Sequence, residues 1–195
     1  MRKYAIWIIL GIVLLLGIGG YNGLVGSREN VNKAWANVET SYQRRADLIP
    51  NLVSTVKGAA DFEKSTLESV TQARASATSI HLDANDLTPE KLQQYQQAQA
   101  QLSGALGRLL AVAENYPQLK AVQAFQDLQA QLEGTENRIN EARRQFNEAA
   151  QGYNASRQKF PRVIIASLFG FKDKPYFEAD KGSEKAPQVS FPSQK

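Results

Sequence analysis

The chain has 195 residues, no cysteine, one histidine and a net charge of +4, half of it supplied by Arg2 and Lys3. That length suits one medium domain. The lack of Cys removes disulfides, thiolate metal sites and Cys nucleophiles, and a lone His argues against a His-based metal cluster or a Ser-His-Asp triad. A pI of 9.3 without a dense Lys/Arg face does not indicate a nucleic-acid partner.

From Tyr4 to Ser27 no residue is charged, and Ala5–Gly20 is almost entirely aliphatic, Trp or Gly. About 20 apolar residues, rising ~1.5 Å each, cross the hydrocarbon core of a bilayer. Tyr4 and Trp7 flank one end of the run and Tyr21 the other, where amphipathic rings settle at the headgroups. A cleaved signal peptide would have a shorter apolar core, of about 7–15 residues. Its only candidate cleavage motif here, Gly17-Ile18-Gly19, is a poor one. Residues 1–27 are therefore expected to form a retained single-pass anchor. Arg2 and Lys3 beside it favour a cytoplasmic N-terminus, with the rest of the chain outside the cytoplasm.

The remainder is rich in Ala and Gln, lacks alternating β-branched runs, and repeats apolar residues at spacings of three and four. The first stripe is Leu24, Val31, Trp35, Val38, Tyr42, Ala46, Ile49, Val53 and Val56. A second runs through Leu67, Val70, Ala73 and Ala77, and a third through Leu92, Tyr95, Leu102, Leu106, Leu109, Ala113 and Tyr116. The fourth is Val122, Phe125, Leu128, Leu132, Ile139, Phe146, Ala150 and Tyr153. Thr88-Pro89-Glu90 reads as an N-cap, a Pro at the first helical position and an acid in the first turn. Tyr116-Pro117 and Phe160-Pro161 mark further breaks. Pro50 lies inside the first stripe without changing its phase, as in a kinked helix, whereas Lys57-Gly58 offers a C-terminal stop. The expected fold is all-α: a transmembrane helix followed by an antiparallel up-and-down bundle over residues 28–171. Four helices are expected, from a break at Pro50 or Gly58; a break at neither would give three, the first very long.

Val163–Phe171 is the most apolar run outside the anchor and too short to span a bilayer. It is expected either to close the end of the bundle or to expose Leu168, Phe169 and Phe171 to a partner or the membrane surface. Arg157, Lys159, Arg162, Lys172 and Lys174 flank it and would suit anionic headgroups. Residues 172–195 mix Pro, Gly, Ser and charges without a period and are expected to be an extended or disordered tail.

No constellation carries chemistry. His81 stands alone, and the carboxylates of the fourth helix alternate with arginines as on a solvated face. No catalytic residue, metal or cofactor is expected. The cluster Arg44, Arg45, Asp47, Pro50 and Asn51 is expected to satisfy a helix kink, with Asp47 pairing Arg44 and Asn51 bonding a carbonyl freed by Pro50.

The block RRADLIPNLVSTVKG, with YNGLVGSRENVNKAW before it and FPRVIIASLFGFKDKPYFEA after the last helix, resembles the LemA family over nearly the whole chain. Where that family often carries a His-Glu pair after the Val-Lys-Gly block, this chain has Phe62-Glu63. The resemblance implies a bacterial inner-membrane protein with one N-terminal span, a helical bundle and no established enzymatic activity, in a family associated with the cell envelope. The resulting expectation is a non-enzymatic interaction or scaffold protein. Its partners would be the membrane, an unidentified envelope protein or another copy. The alternative is a lipid-surface or membrane-shaping protein acting through residues 163–171.

Overall fold

The computed structural model describes residues 2–58 and 62–178. The first helix, α1 (Arg2–Lys57), is 56 residues long and contains Pro50, a length of about 84 Å. It is followed by α2 (Lys64–Ser79), a 3₁₀ turn at Ala84–Asp86, α3 (Pro89–Ala113), the single turn α4 (Pro117–Lys120), α5 (Gln123–Gln158) and α6 (Arg162–Leu168). The fold is thus all-α, and no loop separates the apolar N-terminal run from the bundle.

Of the two candidate breaks in the first stripe, the chain uses Lys57-Gly58. Pro50 does not stop α1, because the guanidinium of Arg74 in α2 donates from Nε to the Ala46 carbonyl at 2.8 Å. That carbonyl is the one a proline four residues later leaves without its helical donor. At the start of α3 the Thr88 hydroxyl accepts from the Lys91 amide, as its N-cap position requires.

The long helices alternate in direction. Phe125 at the start of α5 shares a core cluster with Val56 at the end of α1, and Tyr153 near the end of α5 shares the other with Leu24. Arg74 reaches Ala46 and the Leu82 carbonyl past α2 accepts from Trp35, while on α3 Tyr95 meets Trp35 and Gln99 and Ser103 meet Arg45, which places α2 antiparallel to α1 and α3 parallel to it. The buried residues form two adjoining clusters. One surrounds Trp35, Phe146 and Tyr153 at the end nearest the apolar run; the other surrounds Leu52, Leu109 and Phe125 at the far end. Each large side chain taken fully from water contributes about 1.5–3 kcal/mol.

Nearly every residue of the four stripes is buried or packed against the core. Val122 is the exception, 41% exposed at the N-cap of α5. By contrast Ile6, Ile8, Leu10, Ile12, Leu14 to Leu16 and Ile18 all stand more than half exposed. That part of α1 has a mean hydropathy of 2.1.

Past α6 the described residues 169–178 have no regular structure, yet they stay on the bundle. Phe171, Lys174 and Phe177 are buried in a strap laid over α5. Residues 179–195 of the expected tail lie outside the described residues.

Candidate functional site

The end of the bundle nearest the apolar run is built around close approach of α6 to α1. A Cβ at Gly20 would collide with Ile165 Cδ1, and one at Gly23 would lie 2.9 Å from Arg162 Nη2. Arg162 crosses α1 there and donates to Ser156 Oγ at 2.5 Å. Ala166 is buried at this contact, whereas Phe160, Ile164, Leu168 and Phe169 are 81%, 59%, 77% and 60% exposed.

Gly170 ends α6 in the left-handed region, with φ +70°, and the Phe171 amide donates back to the Ala166 carbonyl at 2.9 Å. This is the reversal that a glycine just past a helix end permits. It separates two neighbouring aromatics that the sequence treats alike. Phe171 turns inward, 7% exposed, while Phe169 stays on the outside, and both rings meet Tyr21, at 5.6 Å and 5.0 Å. Of the three expected contact residues, Leu168 and Phe169 are therefore on the surface, and Phe171 belongs to the core.

The strap is held by side chains of α5 that take its main-chain groups. Asn154 donates to the Lys174 carbonyl at 2.8 Å and accepts from the Lys174 amide at 2.9 Å. Two turns earlier Asn147 repeats the pattern on Phe177, at 2.9 Å and 2.8 Å. Tyr153 and Arg157 donate to the carbonyls of Lys172 and Phe171, and Arg157 also pairs with Asp173 at 2.6 Å. These bonds deliver the Phe177 ring onto Trp35 and Phe146, with centroids 6.1 Å and 5.4 Å apart. The Lys174 ammonium bonds the Ala84 carbonyl. Burial and the nearby Arg28 guanidinium push Lys174 below the usual lysine range, against the pull of Asp83 and Asp86.

The second polar cluster, around Pro50, is only partly assembled as expected. Arg45 is 2% exposed and reaches between α3 and α5. It donates to Gln99 Oε1 and Ser103 Oγ, each at 2.6 Å, and to Glu136 at 3.0 Å, with its Cζ 5.1 Å from the Tyr42 ring. Arg44 stays exposed. Asp47 accepts from Gln43 at 2.8 Å in place of the expected Arg44. The carbonyl expected to bond Asn51 is taken by Arg74, while the Asn51 carbonyl accepts from Thr55. The cluster is a buried cation tying three helices together.

Among the described residues no group of three or more His, Asp or Glu is placed to hold a metal ion. His81 is exposed, its Nδ1 3.3 Å from the Ser79 carbonyl. The residues that sequence reasoning missed are Arg74, Gln99, Glu136, Asn147 and Asn154. The last two carried a usable signal: they lie seven apart, each directly after an aromatic of the α5 stripe, where a polar residue at the edge of the core needs a partner.

A single apolar helix that runs without interruption into a packed all-α bundle, with an exposed apolar edge at the junction, defines a membrane-associated helical-bundle protein. Comparison with known families agrees: the chain belongs to the LemA family, whose model matches residues 34–191. Magnetosome protein MamQ 2 of Paramagnetospirillum magneticum is 28% identical over 177 residues, covering 81% of this chain and 64% of that protein. Magnetosome protein MamQ of Magnetospirillum gryphiswaldense is 27% identical over 176 residues, covering 80% and 64%. Protein LemA of Metamycoplasma hominis is 23% identical over 172 residues, covering 88% and 75%. The chain thus spans just under two thirds of the length of the MamQ relatives it matches.

Proposed function

We propose that the protein is a membrane-anchored, non-enzymatic scaffold that presents a rigid helical bundle to a membrane or envelope protein, or to another copy of itself. The observation that carries this reading is the continuity of α1, in which one helix supplies both the apolar run and the first strut of the core. With no linker between them, the bundle keeps a fixed orientation relative to the anchor. Tethering also raises the effective concentration of any contact it makes, so a small interface suffices. Photo-crosslinking in native membranes from probes at Leu168 and Phe169 tests the reading. Discrete protein adducts or self-adducts support it, and lipid adducts alone refute it.

A second reading rests on the position of α6. Its exposed face, with Phe160, Ile164, Leu168 and Phe169, sits beside Gly20 and Gly23 at the end of the apolar run of α1. Such a face laid on the near leaflet would bury apolar area at the level of the headgroups. In this reading the protein acts on the bilayer itself, and lipid adducts from the same probes are its expected result. The naming of two relatives as magnetosome proteins is compatible with a role at a membrane.

A further inference from the structure

A cleft of about 320 Å³ opens between α1, the start of α3 and the turn that follows α6. Its lower rim is Phe169, and its walls carry Arg28, Lys172 and Lys174. The two carboxylates that line it are already engaged by cations from outside: Asp86 by Lys91, and Asp173 by Arg157 at 2.6 Å. With Glu29 beside Arg28 and Asp83 near Lys174 counted as well, five cations face four acids, and the cleft keeps a small surplus of positive charge.

Arg28 has weak local ties. The carboxylate nearest its Nε, that of Glu29, is 3.7 Å away, beyond hydrogen-bond distance. Nε is shielded from solvent and has no hydrogen-bond partner among the described residues. The guanidinium lies over the Phe171 ring, 5.5 Å from its centroid, at the cleft wall.

Height along α1 decides which anion meets this site. Arg28 lies seven residues beyond Tyr21, about 10 Å along the helix. The headgroup layer is about 5–7 Å thick on each side of the hydrocarbon core. With Tyr21 and Phe169 at the edge of the hydrocarbon, the Arg28 backbone stands beyond that layer, but its guanidinium lies over the Phe171 ring, which itself meets Tyr21, and so reaches back into it. A soluble anion would need no such depth, nor an aromatic rim below the cations.

We infer that the cleft walled by Arg28 and Lys172 binds the phosphate of an anionic phospholipid, whose acyl chains leave past Phe169 alongside α1. The inference rests on α1 lying across a bilayer and is independent of whether the bundle organises a protein partner.

The test uses the full chain in nanodiscs of phosphatidylcholine, with or without phosphatidylglycerol. The rate of amine acylation is read by mass spectrometry at Lys172 relative to Lys159, an exposed lysine at the same end of the bundle. Phosphatidylglycerol is expected to slow Lys172 about fivefold against Lys159, the factor given by about 1 kcal/mol. Arg28→Gln is expected to remove the protection while leaving helicity unchanged. Lys172→Gln, at an exposed position, is expected to lower the phosphatidylglycerol retained through native mass spectrometry, and Lys172→Arg to restore it. Millimolar inorganic phosphate in phosphatidylcholine discs is expected to leave Lys172 unprotected. Equal slowing of Lys172 and Lys159 would overturn the site, and protection by inorganic phosphate would overturn its assignment to a lipid. Either failure leaves the crosslinking result at Leu168 and Phe169, and with it the scaffold reading, untouched.

Discussion

Removing the Arg45 guanidinium is expected to destabilise the bundle far more than removing the carboxylate it faces. Arg45→Ala strips the donor from the side-chain oxygen of Gln99, a residue only 6% exposed, and one of the two donors to its main-chain carbonyl, which keeps its helical bond. Each buried acceptor left unpaired costs about 1–3 kcal/mol, and loss of the buried stem adds a void. Glu136 contributes less, because its side chain is 46% exposed and water can take over its bond. The expected costs are about 4 kcal/mol for Arg45→Ala and about 1 kcal/mol for Glu136→Gln. In a domain of this size the first corresponds to a fall in Tm of about 10 °C. Melting of the full chain in detergent, followed by Trp35 emission in a Trp7→Phe background, measures both, since the chain has two tryptophans. Equal losses in the two variants would show that the ion pair carries the stabilisation and would refute the argument from buried acceptors.

Three further outcomes follow from the same geometry. Asn154→Ala orphans the Lys174 amide and is expected to raise hydrogen exchange over residues 174–178 while leaving the middle of α1 and α5 protected. Phe171→Asp is expected to lower the melting temperature sharply by burying a carboxylate, whereas Phe169→Asp, at a ring 60% exposed, should shift stability by no more than about 0.5 kcal/mol. Glu39 gives a pH signature: burial raises its carboxyl above the ordinary 4.5, opposed by the Trp35 indole and by His81. The native state then holds a proton that the unfolded state has lost, so this group's contribution to stability falls as pH rises through the window above 4.5. The Tm advantage of Glu39→Gln over the wild type should therefore grow across that window, and a constant difference would exclude the effect.

What was legible in the sequence is what depends on neighbours along a helix. The stripe from Val31 to Val56 marks the buried face of α1 because residues three and four apart share a face. Thr88-Pro89 marks the start of α3 because capping is local. The choice between Pro50 and Gly58 was not local: α1 continues past Pro50 with Arg74, 28 residues away, on its freed carbonyl. Arg44 and Arg45 look equivalent in sequence, and only the positions of Gln99, Ser103 and Glu136 on other helices separate them. The strap was hidden for the same reason. Nothing near Phe177 in the chain announces a core residue, since its partners are Asn147 on α5 and Trp35 at the opposite end of the sequence.

Because α1 is unbroken from Arg2 to Lys57, bilayer thickness and bundle position are mechanically linked. Spans longer than the local hydrocarbon tilt, typically by about 20°. Lys57 lies 36 residues beyond Tyr21 on the same helix, about 54 Å along its axis. A tilt of about 20° in the anchor therefore carries the far end of the bundle sideways by about 18 Å. A change of a few ångströms in the hydrocarbon thickness around such a helix would be amplified into a displacement of its distal end wider than a helix.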